Sequence, residues 1–259
     1  MSAAVALAPR FVERVWGSQN LAPLFGEFHH RIGEVWYDAD PLLIKFLFTS
    51  EPLSVQVHPD DEFARTVEQA ARGKTEMWYI LRAQPGARLA AGFRDFLTVE
   101  QARQAAEDGS IEQLLQWWEA AEGDTFFTPA GTVHALGAGL VVCEVQQKCN
   151  ITYRLFDYGR GRPLDLDKAL AVAELKPYPG KSQPTPLDDD AEELVSCPYF
   201  RVERRRLTAA WTCAEPALLI VVEGNCSLGT AGTVWRTTAP VVVQPDNAAV
   251  ILQVVTAGH

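Results

Sequence analysis

Positive charge is in short supply in this 259-residue chain: 23 Lys and Arg stand against 33 Asp and Glu, a formal net charge of −10. A nucleic-acid backbone demands clustered Lys and Arg, so nucleic acid is not an expected partner, and an anionic membrane surface fits no better. A small anionic substrate is not excluded, because it answers to a local basic cluster rather than to the sum. Cysteine is sparse as well. Cys143, Cys149, Cys197, Cys213 and Cys226 contain no CxxC pair and are odd in number, which argues for reduced, buried thiols rather than a disulfide scaffold. Long apolar runs are missing too. Pro41 to Phe48 carries Lys45 and is far below membrane-spanning length, and Met1 to Pro9 lacks the basic segment of a secretory signal. The expectation is a cytoplasmic protein with no membrane partner. No internal repeat is visible.

What the chain does have is β texture. At 47% hydrophobic composition it can bury a large core. Val35 to Tyr37, Leu42 to Thr49, Ser54 to His58 and Glu76 to Leu81 are rich in β-branched and aromatic residues and read as strands. Thr98 and Gln101 have the spacing of a capping box, predicting a helix that runs through Glu107 and stops at Gly109. Ser110 can cap a second helix, Ile111 to Glu122, with Leu114, Leu115, Trp117 and Trp118 as its apolar cover. Strand texture returns at Thr125 to Phe127, and Leu140 to Gln146 runs onward to Phe156. Leu166 to Leu175 reads as helical. Lys176 to Asp190, dense in Pro, Asp and Ser, reads as a linker, and short β segments follow from Tyr199 to Val255. Short strands with regular turn signals predict a mainly β sandwich or small barrel rather than βαβ units.

Ser54-Val55-Gln56-Val57-His58-Pro59-Asp60-Asp61 is the most informative stretch. Period-two alternation puts Gln56 and His58 on one strand face and Val55 and Val57 on the other, and Pro59 ends the strand. Glu76 and His134 stand near other strand ends. Two imidazoles, a carboxylate and an amide oxygen can bind Zn²⁺ or another divalent first-row ion. Taken singly, Glu76 also reads as a solvated strand residue and His134 as a turn residue.

Four ordered motifs resemble the type I mannose-6-phosphate isomerases (phosphomannose isomerases), a cupin family, and in particular their short bacterial branch. They are Leu53 to Asp61, Gly73-Lys74-Thr75-Glu76-Met77-Trp78-Tyr79, Pro129-Ala130-Gly131-Thr132-Val133-His134-Ala135-Leu136, and Glu144 to Gln147 continuing through Thr152 to Tyr158. Val15-Trp16-Gly17-Ser18 and Gly33-Glu34-Val35-Trp36 match more weakly. The resemblance implies two cupin-type jelly-roll β-sandwich modules. Residues 1–179 would be the catalytic module, with a small helical insertion near 98–122; residues 180–190 would be a linker and 191–259 a C-terminal β module without a site of its own. It puts one Zn²⁺ per chain on Gln56, His58, Glu76 and His134, a catalytic arginine at Arg154, and pocket residues at Lys74 and Glu144, with Lys45 as a further substrate contact. The implied substrate is a small phosphosugar, interconverted between mannose 6-phosphate and fructose 6-phosphate by a monomer or weak homodimer.

The residue types suit that chemistry. Moving a carbonyl between C1 and C2 takes a proton from one carbon and returns it to the next through an enediol or enediolate. A metal orients oxygens and stabilises developing negative charge, and Arg154 keeps its positive charge for the same purpose. Glu144, if burial raises its pKa, can be the base. Lys74 or a metal-bound water can do that work instead. Lys45 sits in an apolar run, where an ammonium needs a partner or a route to water. The phosphate grip is only bracketed, by Arg10, Arg14, Lys148, Arg160 and Arg162. An isomerase of a free or different phosphorylated sugar, or a non-catalytic sugar- or metal-binding cupin, are the alternatives.

Overall fold

Antiparallel ladders account for almost all the regular structure in the computed structural model, which describes residues 3–257. A six-stranded sheet runs in the order Arg10–Asn20, Glu27–Ala39, Leu42–Thr49, Leu140–Gln147, Glu76–Ala83, Thr125–Thr128. A five-stranded sheet runs Tyr153–Phe156, Val55–Val57, His134–Leu136, Arg88–Phe93, Leu115–Glu119. Beyond these lies an eight-stranded sheet built mainly from the last third of the chain. The strand Ala4–Ala6 closes one of its edges by pairing with Val234–Thr237. Helical content is small: Asp61–Val67, Val99–Asp108, Ile111–Leu114 and Leu166–Val172. The architecture is mainly β, as expected.

The sheets stack in layers, and side-chain alternation decides what each face meets. In Leu42–Thr49, Ile44, Phe46 and Phe48 join Phe200, Val202, Ile220 and Leu252 of the eight-stranded sheet in one buried cluster. Leu47 points the other way, into a cluster with Leu89, Ala91 and Leu136 of the five-stranded sheet. The six-stranded sheet is therefore covered on both faces, and every residue of Leu42–Thr49 and Leu140–Gln147 is buried. The outer face of the five-stranded sheet presents Val55, Val57 and Leu155 to Ala102, Ala105 and Ala106 of one helix and Leu170 of another. Gln56 and His58, on the opposite face from the two valines, are left to point between the sheets.

The Thr98 capping box forms as predicted. Thr98 Oγ1 accepts from the Gln101 N–H at 3.2 Å, Gln101 Oε1 accepts from the Thr98 N–H at 2.8 Å, and Gly109 ends the helix at φ 82°. The second predicted helix, Ile111 to Glu122, is corrected. One turn, Ile111–Leu114, gives way to the strand Leu115–Glu119, which pairs with Arg88–Phe93. The open sheet edge offers a ladder, and Trp117 and Trp118 favour a pleated surface. Their indole N–H groups donate to Glu112 O at 3.0 Å and Ala91 O at 3.3 Å. The run from Leu140 to Phe156 also divides: Leu140–Gln147 and Tyr153–Phe156 belong to different sheets. Arg10–Asn20 and Arg88–Phe93 are strands the sequence reading did not find. All five cysteines are free, and four are buried. Among the described residues no helix is long and apolar enough to cross a membrane.

Candidate metal centre and active site

Strand register assembles two facing rows of side chains between the five- and six-stranded sheets. Gln56 pairs directly with His134 on one side and with Arg154 on the other, so these three lie side by side on one wall. On the opposite wall, Trp36 pairs with Lys45, Lys45 with Glu144, Glu144 with Trp78, and Trp78 with Phe126. Glu76 precedes Trp78 by two residues and shares its face. Each row comes from strands distant in sequence.

His58, Glu76 and His134 form a buried group whose ligand-type atoms all lie within 4.8 Å of one another. Glu76 Oε1 is 3.6 Å from His58 Nε2 and 3.4 Å from His134 Nε2. Each imidazole holds a backbone carbonyl through Nδ1: His58 with Ile151 O and His134 with Thr132 O, both at 2.9 Å. A carbonyl only accepts, so each Nδ1 carries the proton and each Nε2 presents a lone pair. Burial pushes His58 down to about 3, Lys74 adding to that, and burial lowers His134 too, although Glu76 opposes the shift. Both rings are thus neutral near pH 7. Glu76 Oε1 is buried and accepts no hydrogen bond. Two lone pairs and an orphaned carboxylate oxygen converge, and a divalent cation fits that donor set. Gln56 closes the group at His134, its Nε2 at 3.2 Å from His134 Nε2 and its Oε1 at 3.3 Å from Ser54 Oγ. A half-turn of the amide would bring Oε1 to the metal side.

The motif around Lys74 is fitted against the His58 motif by close backbone approach. A Cβ on Gly73 would come within 2.3 Å of Asp60 C and 2.5 Å of Pro59 O. Asp61 Oδ1 accepts from the Gly73 N–H at 2.7 Å, and the Lys74 N–H donates to Pro59 O at 2.9 Å. Gln147 ties both segments down: its Oε1 accepts from the Thr75 N–H and its Nε2 donates to Asp61, each at 2.9 Å. Lys74 Nζ then lies 2.6 Å from Glu76 Oε2, 3.0 Å from His58 Nε2 and 3.8 Å from Glu144 Oε1. Burial alone would raise Glu76, but the Lys74 ammonium beside it holds it well below the usual carboxylate range.

A cavity of about 310 Å³ opens beside this group. Lys45, Gln56, Lys74, Glu144 and Arg154 all line it, so the structure brings the catalytic candidates and Lys45 together around one cavity. Lys45 Nζ sits 3.1 Å from Glu144 Oε1 and 4.9 Å from the centre of the Trp36 ring, while Trp78 Nε1 donates to Glu144 Oε2 at 3.1 Å. Burial raises the Glu144 carboxyl and Glu76 adds to the shift, against Lys45 and Lys74. Of the bracketed phosphate candidates, Arg14 and Arg162 reach the cavity wall. Lys148 pairs with Asp38 and Asp40 elsewhere. Trp16, Glu34, Trp36, Trp78, Asn150 and Thr152 also line it without having been assigned a role from sequence. The first three lie in the weaker motifs, and Trp78 follows Glu76 at the spacing of one strand face.

No family model matches the chain. Curated relatives do. Mannose-6-phosphate isomerase ManA of Bacillus subtilis is 37% identical over 219 residues, which are 79% of this chain and 69% of that protein. Mannose-6-phosphate isomerase of Streptococcus mutans is 33% identical over 223 residues, 81% of this chain and 70% of that one. The chain belongs to the type I mannose-6-phosphate isomerases. Within that family its fold is also matched in three dimensions. A crystal structure of the mannose 6-phosphate isomerase from Bacillus subtilis superposes with a TM-score of 0.88 over 97% of this chain and 99% of that one, at 24% identity.

Proposed function

We propose that this member of the family is a zinc-dependent aldose–ketose isomerase interconverting mannose 6-phosphate and fructose 6-phosphate. The observation that carries the reading is the convergence of two imidazole Nε2 lone pairs on a buried carboxylate, at the edge of a cavity that also holds Glu144, Lys45, Lys74 and Arg154. Gln56, His58, Glu76 and His134 would hold the zinc, a set of N and O donors that also admits other first-row ions. Bound there, the metal supplies Lewis-acid stabilisation of negative charge on the sugar oxygens.

The chain's own residues do the rest. Glu144 is the base that takes the proton from C2 of the aldose and returns it to C1 through a cis-enediolate, while the hydroxyl proton on O2 passes to O1, leaving the carbonyl at C2. Its burial makes it a stronger base than a solvated carboxylate, and Lys45 and Trp78 fix its two oxygens in place. Arg154, beside Gln56 in the ladder, faces the developing enediolate charge with a guanidinium that stays protonated. Lys74 is a fixed positive charge between Glu76 and Glu144 and a contact for a sugar hydroxyl.

The same proposal includes a cupin-type jelly-roll for the five- and six-stranded pair, with a module boundary at 180–190. It also includes cytoplasmic residence and a monomer or weak homodimer. The function is tested by a coupled assay on mannose 6-phosphate, free mannose and glucose 6-phosphate, with and without chelator. The expected result is chelator-sensitive turnover that strongly prefers mannose 6-phosphate. Turnover of free mannose with the phosphorylated sugar inert would reject it.

A further inference from the structure

Thr75 stands between Lys74 and Glu76 and is held at its N–H, its carbonyl and its hydroxyl. The N–H donates to Gln147 Oε1 at 2.9 Å and the carbonyl accepts from the Gln147 N–H at 3.0 Å. Its Oγ1 accepts at 3.2 Å from the N–H of Ala130, in the motif that carries His134. Gln147 is 2% exposed and Thr75 5%, so water competes for none of these bonds. The Gln147 side chain is placed in turn by Asp61, whose Oδ1 accepts from both Gln147 Nε2 and the Gly73 N–H. One carboxylate oxygen thus fixes the approach to Lys74 and the amide that grips Thr75.

A third partner comes from the far end of the chain. The Tyr199 hydroxyl is turned to the same carboxylate. Tyr199 immediately precedes the strand Phe200–Leu207 of the eight-stranded sheet, and its carbonyl accepts from the Ala257 N–H at 3.1 Å. Burial raises the Asp61 carboxyl, but donation from Gly73, Gln147 and Tyr199 outweighs it and keeps the group an anion. Asp61, Gln147 and Tyr199 line a cavity of about 160 Å³ that shares no lining residue with the catalytic one. Whatever these three side chains do for the reaction therefore passes through Lys74 and Glu76.

We propose that Asp61, braced between Gln147 and Tyr199, is a positioning residue for the metal centre, and that Tyr199 makes the eight-stranded sheet a contributor to metal affinity. The inference rests on the zinc isomerase reading. A shift of the Thr75 peptide would carry Glu76 away from His58 and His134 and Lys74 away from Glu144, and partners behind a ligand set how well it meets its ion.

The test is the zinc Kd of the full chain, read by competition with a chromogenic chelator in the absence of sugar. Asp61→Ala leaves three donors without their acceptor and should weaken the Kd by about tenfold or more. Asp61→Asn keeps Oδ1 for Gly73 and Gln147 and should stay within about threefold of the unaltered chain. Tyr199→Phe removes only a hydroxyl, folds should Asp61→Ala not, and should weaken the Kd by about threefold to tenfold. Because Tyr199 acts through Asp61, combining Tyr199→Phe with Asp61→Ala should add nothing. Leu219→Ala weakens the same sheet from its other face, where Leu219 is fully buried, and should leave the Kd within about threefold. A Kd unmoved by Asp61→Ala or by Tyr199→Phe, no recovery in Asp61→Asn, an equal loss in Leu219→Ala, or additive losses in the double variant overturns the brace. The failures are distinguishable. Zinc affinity that depends on Asp61 in a chain without turnover of mannose 6-phosphate sinks the isomerase reading alone, and turnover with a Kd indifferent to Asp61 sinks the brace alone.

Discussion

Lys45 stands among Leu42, Leu43, Ile44, Phe46 and Leu47 in a strand with no exposed residue. The fold accommodates it with Glu144 directly opposite and the Trp36 ring alongside. That arrangement makes a kinetic prediction. Burial and Glu76 raise Glu144, so the acid limb of kcat/KM should lie above the ordinary carboxylate pKa of about 4.3. Activity appears as pH rises through that raised value, because the base must be ionised. Lys45→Met removes a neighbour that favours the ionised form and should move the limb to still higher pH. A limb that stays put would take the role of base away from Glu144. Glu144→Gln should lower kcat by about 10²–10⁴-fold with metal retained, whereas His58→Ala or His134→Ala should lose metal and turnover together, as elemental analysis alongside the assay would show. His58, Glu76 and His134 were legible from sequence as donor types beside strand ends, and the roles of Glu144 and Lys45 only through the family resemblance. Glu34 and Trp36 were not, since their importance comes from cross-strand partners.

Elements were legible where the local signal and the tertiary demand agree. The Thr98 cap and the alternation of Val55, Gln56 and Val57 are local facts that packing leaves intact. The reading failed at Leu115–Glu119, where a helical pattern of apolar residues meets an open sheet edge and pairing wins. It also missed the division after Gln147. Leu140 to Gln146 alternates, and Lys148 to Thr152 holds no Gly or Pro to signal a break, so nothing local separates this strand from Tyr153–Phe156. The correction carries its own prediction. Leu115, fully buried beneath the Val99–Asp108 helix, should cost about 2–5 kcal/mol on replacement by Ala in denaturant unfolding. Leu114, only partly buried, should cost less. Equal losses would mean that the two share one helical face after all.

At the scale of the molecule, the eight-stranded sheet backs the catalytic wall. Phe200, Val202 and Leu252 pack on Ile44, Phe46 and Phe48, the reverse side of the strand that carries Lys45. Phe200→Ala, at a site with no exposure, should therefore cost about 3–5 kcal/mol of stability. It should do so in one transition followed identically by fluorescence and by loss of activity, because the cluster belongs to both sheets. Two separated transitions would mean that the last third of the chain folds apart from the site. Its sequence shows only short strands and turns, and the sheet order and the pairing of Ala4–Ala6 with Val234–Thr237 come from long-range register that no local pattern encodes. The site these layers support is tested most directly by stripping the protein with chelator and titrating Zn²⁺ back while following conversion of mannose 6-phosphate to fructose 6-phosphate. The expected result is negligible turnover in the stripped protein and recovery that breaks at about one equivalent per chain. Full activity in stripped protein, or none at any metal concentration, would contradict it.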